Sequence, residues 1–318
     1  MQETNREVLF EVQNLTMEFK VGRRKKSTLK AVNDVSFQIF KSETFGLVGE
    51  SGCGKSTTGR CLIRLYSPTS GSFKFKGEEL TGKLTKDKKK YITDNIAMIF
   101  QDPIESLNPR MTIAEIIGEG LKVRGMTDKT EIEEKVYSIL NKVGLTREHA
   151  SRYPHEFSGG QRQRIGIARA VIVNPTMVIA DEPVSALDVS IQAQVINLLN
   201  DLKDELGLTI LFIAHNLSTV KYFSDRVGVM YGGKLVEVAP SDEIYNNPLH
   251  PYTKSLLSAM PQPNPLTEKR RVRFSYDPDM HDYSKESPVM TEITDGHFIY
   301  ASPSEVKKML SEMKMQGE

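Results

Sequence analysis

The sequence predicts an α/β protein with a parallel sheet covered on both faces, and three observations carry that prediction. An apolar strand, Phe45 to Val48, runs directly into the glycine-rich GESGCGKS of Gly49 to Ser56, where a helix should open. Two further apolar runs, MVIAD from Met177 and TILFIAH from Thr209, bracket a helical pattern in IQAQVINLLNDLKDEL. Strands that alternate with helices build parallel sheets, whose strands are buried on both sides and read as near-continuous apolar runs.

The elements follow in order. Residues 7 to 48 alternate apolar runs with turn-formers (VLFEVQNLTMEF, AVNDVSFQIF, ETFGLVG), the pattern of strands and hairpins, with GRRKK at Gly22 to Lys26 as a hairpin tip. A helix is expected from about Gly54 to Tyr66. The basic run KLTKDKKK, Lys83 to Lys90, reads as a solvated loop. Residues 111 to 173 should be mostly helical, from the apolar spacing in MTIAEIIGEGL and EEKVYSILNKVGL. From Pro240 the chain turns proline-rich and weakly patterned, which reads as a docked extension or small separate unit beginning between about 235 and 265.

Composition removes several function classes. With 42 basic and 41 acidic residues the net charge is +1, which supplies no global field to recruit DNA or RNA. No window approaches the ~18 apolar residues of a membrane helix, and the polar opening MQETNREVLF does not read as a secretory signal. Any membrane connection is therefore expected to come through a partner. The only cysteines, Cys53 and Cys61, cannot form a disulfide framework or a cysteine-rich metal site and fit a reducing compartment.

The chemistry lies in three stretches. Gly49-Glu50-Ser51-Gly52-Cys53-Gly54-Lys55-Ser56 matches G-x-x-x-x-G-K-S/T in its required context, after a strand and at a helix start. Its backbone amides would cradle phosphates, Lys55 would reach the β- and γ-phosphates, and the Ser56 hydroxyl would ligate Mg²⁺. The plain alternative is a glycine-rich turn with a surface lysine. Asp181 and Glu182 end the strand MVIADE, where Asp181 would hold the magnesium through water and Glu182 would act as general base. Ser158 to Arg164, SGGQRQR, places an N-cap serine and two glycines ahead of a helix that buries Ile165, Ala168 and Ile172. A helix start bare of carboxylates binds phosphate, yet the chain already has one such site. The economical reading is that this second element receives a γ-phosphate held by another chain.

This motif set resembles the ATP-binding subunits of ABC transporters, whose LSGGQ appears here as FSGGQ with Phe157 in place of leucine. In that family two domains meet head to tail around two ATP molecules. The resemblance implies an ABC-type core with an antiparallel β-subdomain over residues 1–240, a helical subdomain at about 103–170, and a C-terminal extension over 241–318. It implies that Gln101 contacts Mg²⁺ and communicates with membrane subunits. It places His215 on the γ-phosphate, and Ser185-Ala186-Leu187-Asp188 across the dimer interface. Ser158, Gly159, Gly160 and Gln161 would face the partner's phosphate, while the phosphate loop and Thr57 bind the chain's own nucleotide. Phe19 would stack on adenine or simply belong to the core.

The segment NNPLHPYTKSLLSAMP, Asn246 to Pro261, is similar to the His-Pro-Tyr element of peptide and nickel import ATPases. The end of the chain resembles the F-type subunit of Gram-positive oligopeptide importers. The implied partners are a sister ATPase subunit in a heterodimer, two transmembrane permease subunits and an extracellular peptide-binding protein, with no nucleic acid. The implied location is the cytoplasmic face of the membrane. ATP and Mg²⁺ are the expected cofactors. Relatives that hold an iron–sulfur centre carry tail cysteines; this tail has none, so no cluster is expected. Dipeptides, nickel or another small cargo remain open. A soluble, non-transport ABC ATPase fits less well, because the chain has one cassette and no heptads. A subunit that binds ATP without hydrolysing it conflicts with intact Glu182, His215 and Ser158-Gly159-Gly160.

Overall fold

The computed structural model describes residues 6–21, 27–260 and 273–316. The Gly22 to Lys26 hairpin tip lies outside the described residues. The chain begins with strands β1 (Val8–Val21), β2 (Ser27–Phe40) and β3 (Thr44–Val48), then helix α1 (Lys55–Leu62), strands β4 (Ser70–Phe75) and β5 (Glu78–Glu79), helix α2 (Lys86–Asn95) and strand β6 (Ile96–Ile99). Helices α3 (Pro103–Ser106), α4 (Ile113–Val123), α5 (Lys129–Lys142) and α6 (Gly159–Val171) follow, then β7 (Met177–Asp181), α7 (Val189–Leu206), β8 (Thr209–Ala214) and α8 (Leu217–Val220). The last part holds β9 (Arg226–Tyr231), β10 (Lys234–Pro240), α9 (Ser241–Asn246), α10 (Pro251–Ser258), β11 (Val289–Thr294), β12 (His297–Ala301) and α11 (Pro303–Gln316).

Among the described residues the strands form two sheets. A four-stranded antiparallel sheet runs β2-β1-β4-β5, and an eight-stranded sheet runs β11-β12-β10-β9-β3-β8-β7-β6. The five strands from β9 to β6 pair parallel; β10, β12 and β11 extend them antiparallel. The expected α/β class is therefore what the chain adopts.

The apolar runs are continuous because each face of the parallel strands meets a different layer. Val178, Ala180, Ile210 and Phe212 pack with α4 to α7, whereas Met177, Ile179, Leu211 and Ile213 pack with the antiparallel sheet through Phe10, Ile39 and Phe73. Successive side chains point to opposite faces, so burial on both sides removes the polar alternation.

Two local expectations need correction. The basic run is not a loop: Thr85 caps α2 by accepting the Lys88 N–H, and Lys86 to Lys90 form its first turns. Half-buried Lys88 donates through Nζ to the Glu79 carbonyl at 2.5 Å and exposed Lys90 pairs with Asp94, so both lysines are anchored. The first helix is also shorter than expected, ending at Leu62 with Arg64 in the left-handed region at φ 62°.

Candidate nucleotide site

Strand β3 delivers the chain to Gly49 at the end of the central sheet, and the loop to α1 turns through Gly54, the N-cap, at φ 111°. An ideal Cβ there would lie 2.2 Å from the Ala31 carbonyl oxygen, so only glycine fits both the dihedral and the space. No acidic residue stands in the first turn of α1 and no side chain caps it, which leaves its N–H groups available to an anion.

Lys55 is 3% exposed, and its Nζ donates to the carbonyls of Gly49 (2.7 Å) and Glu50 (2.9 Å). Ser56 Oγ donates to Asp181 Oδ1 at 2.6 Å. Asp181, fully buried at the end of β7, has its carboxyl raised above the ordinary range by burial, against the pull of the Ser56 hydroxyl and Arg60. A buried carboxylate beside a hydroxyl is a hard oxygen donor set that a divalent cation would stabilise, so these residues fit Mg²⁺.

Glu182 takes a left-handed backbone at φ 46°, a conformation that costs a non-glycine residue about 1–3 kcal/mol. That turn gathers three side chains on one carboxylate. Gln101 Nε2 donates to Glu182 Oε2 at 3.2 Å, His215 Nδ1 lies 3.2 Å from the same oxygen, and Lys55 Nζ stands 4.0 Å from Oε1. Glu50, Ser51, Gly52, Gly54, Lys55, Ser56, Thr57, Gln101, Glu182 and His215 line one cleft of about 520 Å³. Cys53 turns inward from this loop; burial raises its thiol pKa, which keeps it protonated and unreactive.

Phe19 does not line the cleft. It packs edge-on against Tyr66 with ring centroids 5.5 Å apart. Two residues here were not singled out from the sequence. Arg60 sits 3.5 Å from Asp181 and 3.4 Å from the Tyr66 hydroxyl, and so links the magnesium-type carboxylate to the Phe19–Tyr66 pair. The place of Arg60 on α1, one turn beyond Ser56, was the available signal for it; Tyr66 lies beyond the end of α1, where no local pattern marked it.

Ser158 to Gln161 lie away from this cleft. Ser158 caps α6: its Oγ accepts the Gln161 N–H (3.3 Å), while Gln161 Oε1 accepts the Ser158 N–H (3.0 Å). Ser158 and Gly159 are exposed. Gly160 has a packing reason to be glycine, because a Cβ there would lie 2.6 Å from Ile191 Cγ2 on α7. Between the two regions runs Ser185 to Asp188. Ser185 bonds back to the Glu182 carbonyl, Ala186 and Asp188 are exposed, and Leu187 lies beside Gly159.

Comparison with known proteins gives the family and the fold. The family described as ABC transporter matches residues 32–185, and the oligopeptide/dipeptide transporter C-terminal region matches residues 236–285. The oligopeptide transport ATP-binding protein OppF of Bacillus subtilis is 57% identical over 95% of this chain and 98% of its own. AmiF of Streptococcus pneumoniae, another oligopeptide transport ATP-binding protein, is 51% identical over 95% and 97%. The dipeptide transport ATP-binding protein DppF of Lactococcus lactis is 50% identical over 93% and 95%. Among solved structures, the dimeric post-hydrolysis state of the ATP-binding cassette MJ0796 bound to ADP and Pi superposes with a TM-score of 0.67 at 27% identity, covering 73% of this chain and 99% of that one. The chain therefore belongs to the ATP-hydrolysing subunits of the ABC transporter family, in its oligopeptide/dipeptide branch.

Proposed function

We propose that this chain hydrolyses ATP to drive import of oligopeptides, in a dimer of ATPase subunits beneath two membrane permeases. The observation that carries the reading is the convergence of Lys55, Gln101 and His215 on Glu182, beside the Ser56–Asp181 pair. The loop Gly49 to Thr57 would hold the phosphates, and Lys55 would leave its loop carbonyls for phosphate oxygens. Ser56, Asp181 and Gln101 would hold Mg²⁺, which when bound neutralises charge on the phosphates.

Glu182 would then accept a proton from the attacking water as the γ-phosphorus–oxygen bond to ADP breaks, releasing phosphate. His215 orients that carboxylate and, in the loaded site, the γ-phosphate. The exposed Ser158-Gly159-Gly160 turn would meet the phosphate on a sister subunit, and Ser185 to Asp188 would lie across the contact. Phe19, with Tyr66 behind it, would form the adenine side.

No helix among the described residues is long and apolar enough to cross a membrane, so a place at the cytoplasmic face would depend on the permeases. The cargo assignment rests on the oligopeptide transport relatives; the dipeptide relative makes shorter peptides the second reading. Purifying the native complex and identifying its companions tests the assembly. ATP-dependent uptake of labelled oligopeptides, dipeptides and nickel by the same complex in vesicles tests the cargo. Nickel uptake without peptide uptake, or a complex without permeases, would overturn the proposal.

A further inference from the structure

The phosphate loop is held from an unexpected side. The N–H of Glu50, the second residue of the loop, donates to the hydroxyl of Tyr252 at 3.1 Å, a contact spanning 202 positions of sequence. Tyr252 is 1% exposed and belongs to α10, in the extension.

Its position is fixed by a chain of buried polar contacts. Glu237 on β10, fully buried, accepts the N–H groups of Leu249 (2.7 Å) and His250 (3.0 Å) and lies 2.7 Å from His297 Nε2 on β12. His250 then caps α10, its Nδ1 accepting the Tyr252 N–H at 3.1 Å. That bond requires a neutral imidazole, and burial lowers the His250 pKa to about 4. The Tyr252 ring packs against Tyr231 (4.5 Å) and Tyr276 (5.5 Å), which also touch each other at 5.0 Å, in a three-ring cluster.

The peptide units on both sides of Glu50 are held by Lys55: its Nζ donates to the Gly49 carbonyl (2.7 Å) and to the Glu50 carbonyl (2.9 Å), which also accepts the Cys53 N–H (3.3 Å). The Glu50 N–H is thus turned toward the extension, and the loop beyond it leads into α1, whose N-cap has no capping side chain. A loop already set in its binding conformation loses less entropy when ligand arrives.

We propose that Tyr252 is a positioning residue for the phosphate loop, so that the C-terminal extension contributes to ATP affinity. This rests on the phosphate loop being the ATP site. Tyr252→Phe removes one neutral hydrogen bond and keeps the ring, so ATP affinity of the full chain should weaken about 2- to 10-fold. In the assembled transporter KM for ATP should rise by the same factor, with kcat at saturating ATP within about twofold. Hydrogen exchange at the Glu50 amide, measured without nucleotide, should quicken in the variant. Tyr283→Phe removes a buried hydroxyl that has no hydrogen-bond partner among the described residues, and should leave ATP affinity, KM and Glu50 exchange unchanged.

Unchanged affinity and Glu50 exchange in a folded Tyr252→Phe protein overturn the inference, as does equal weakening by Tyr283→Phe. Lys55→Ala in the same titration separates the layers. If it binds ATP normally, the assignment of the site fails. If it loses ATP while Tyr252→Phe does not, only the role of Tyr252 fails.

Discussion

Two helices of this chain, α1 and α6, begin at glycine-rich turns with no carboxylate in their first turn, and they begin in different states. At α1 the N-cap is a left-handed glycine without a capping side chain, and Lys55, Asp181 and Glu182 crowd around an open cleft. At α6 a serine side chain caps the helix, and the reciprocal Ser158–Gln161 bonds take the N–H groups of Ser158 and Gln161. A phosphate site complete within one chain keeps its donors free and gathers its counter-charges locally. A site that would take a phosphate from elsewhere needs no counter-charges of its own, and can keep a side-chain cap over part of its donor set. On the proposed function the difference separates a nucleotide-binding element from an assembly-dependent one, and it can be attacked from either side.

The largest effect belongs to the α1 side. Glu182→Gln removes the acceptor for the water proton while keeping the side chain's size, and should lower turnover in the assembled complex about 10²- to 10⁴-fold with ATP still bound. Turnover near the wild-type rate would show that Glu182 is not the base. Next comes the α6 side. Ser158→Arg puts bulk and charge where the sister subunit's phosphate must enter, so the isolated chain should bind ATP within about twofold of wild type while complex hydrolysis is blocked at that site. Loss of the cap alone predicts about 0.5–2 kcal/mol of destabilisation with binding, closure and hydrolysis falling together. Melting temperature and nucleotide affinity on the subunit, with hydrolysis on the complex, distinguish the two.

Lys55→Ala should weaken ATP affinity of the isolated chain by roughly 10- to 100-fold, the worth of a charge-assisted partner. Unchanged affinity would erase the contrast between the helix starts. The smallest effect is expected away from both. Glu43 precedes β3 at the end opposite the phosphate loop; burial raises its carboxyl to about 7 from the ordinary 4.5, against the opposing pull of Arg226 3.3 Å away. Between those values the folded chain holds a proton that the unfolded chain has lost, so this group makes stability fall as pH rises. Glu43→Gln should gain about 1–3 kcal/mol relative to wild type between pH 5 and 8, with ATP affinity unaffected. A constant difference across that range would mean that Glu43 is charged throughout.

The legible parts of the sequence were those where backbone geometry or buried charge leaves few residue choices. Gly54 with Lys55 and Ser56 announces the phosphate loop, since no other residue meets the dihedral at 54. The parallel strands were legible because burial on both faces leaves only apolar residues. The helix at Lys86–Asn95 was not, because it buries Ile92 alone and its lysines resemble a solvated loop. Tyr252 was visible as part of His-Pro-Tyr, but its contact with Glu50 depends on tertiary folding across 202 positions, which local pattern does not encode. Phe19 was seen without Tyr66, the ring against which it packs.

The hairpin of β11 and β12 has a consequence for the chain before it meets any partner. Without it the sheet would end at β10, whose Leu235 to Ala239 are all buried. Its unpaired backbone groups would offer a template for edge-to-edge association. With it, the outermost strand is β11, where Val289, Glu292 and Thr294 face solvent and a charge interrupts the apolar stretch. The hairpin thus replaces a buried, mostly apolar strand with a half-exposed, charge-bearing one at the edge of the sheet, which disfavours edge-to-edge association.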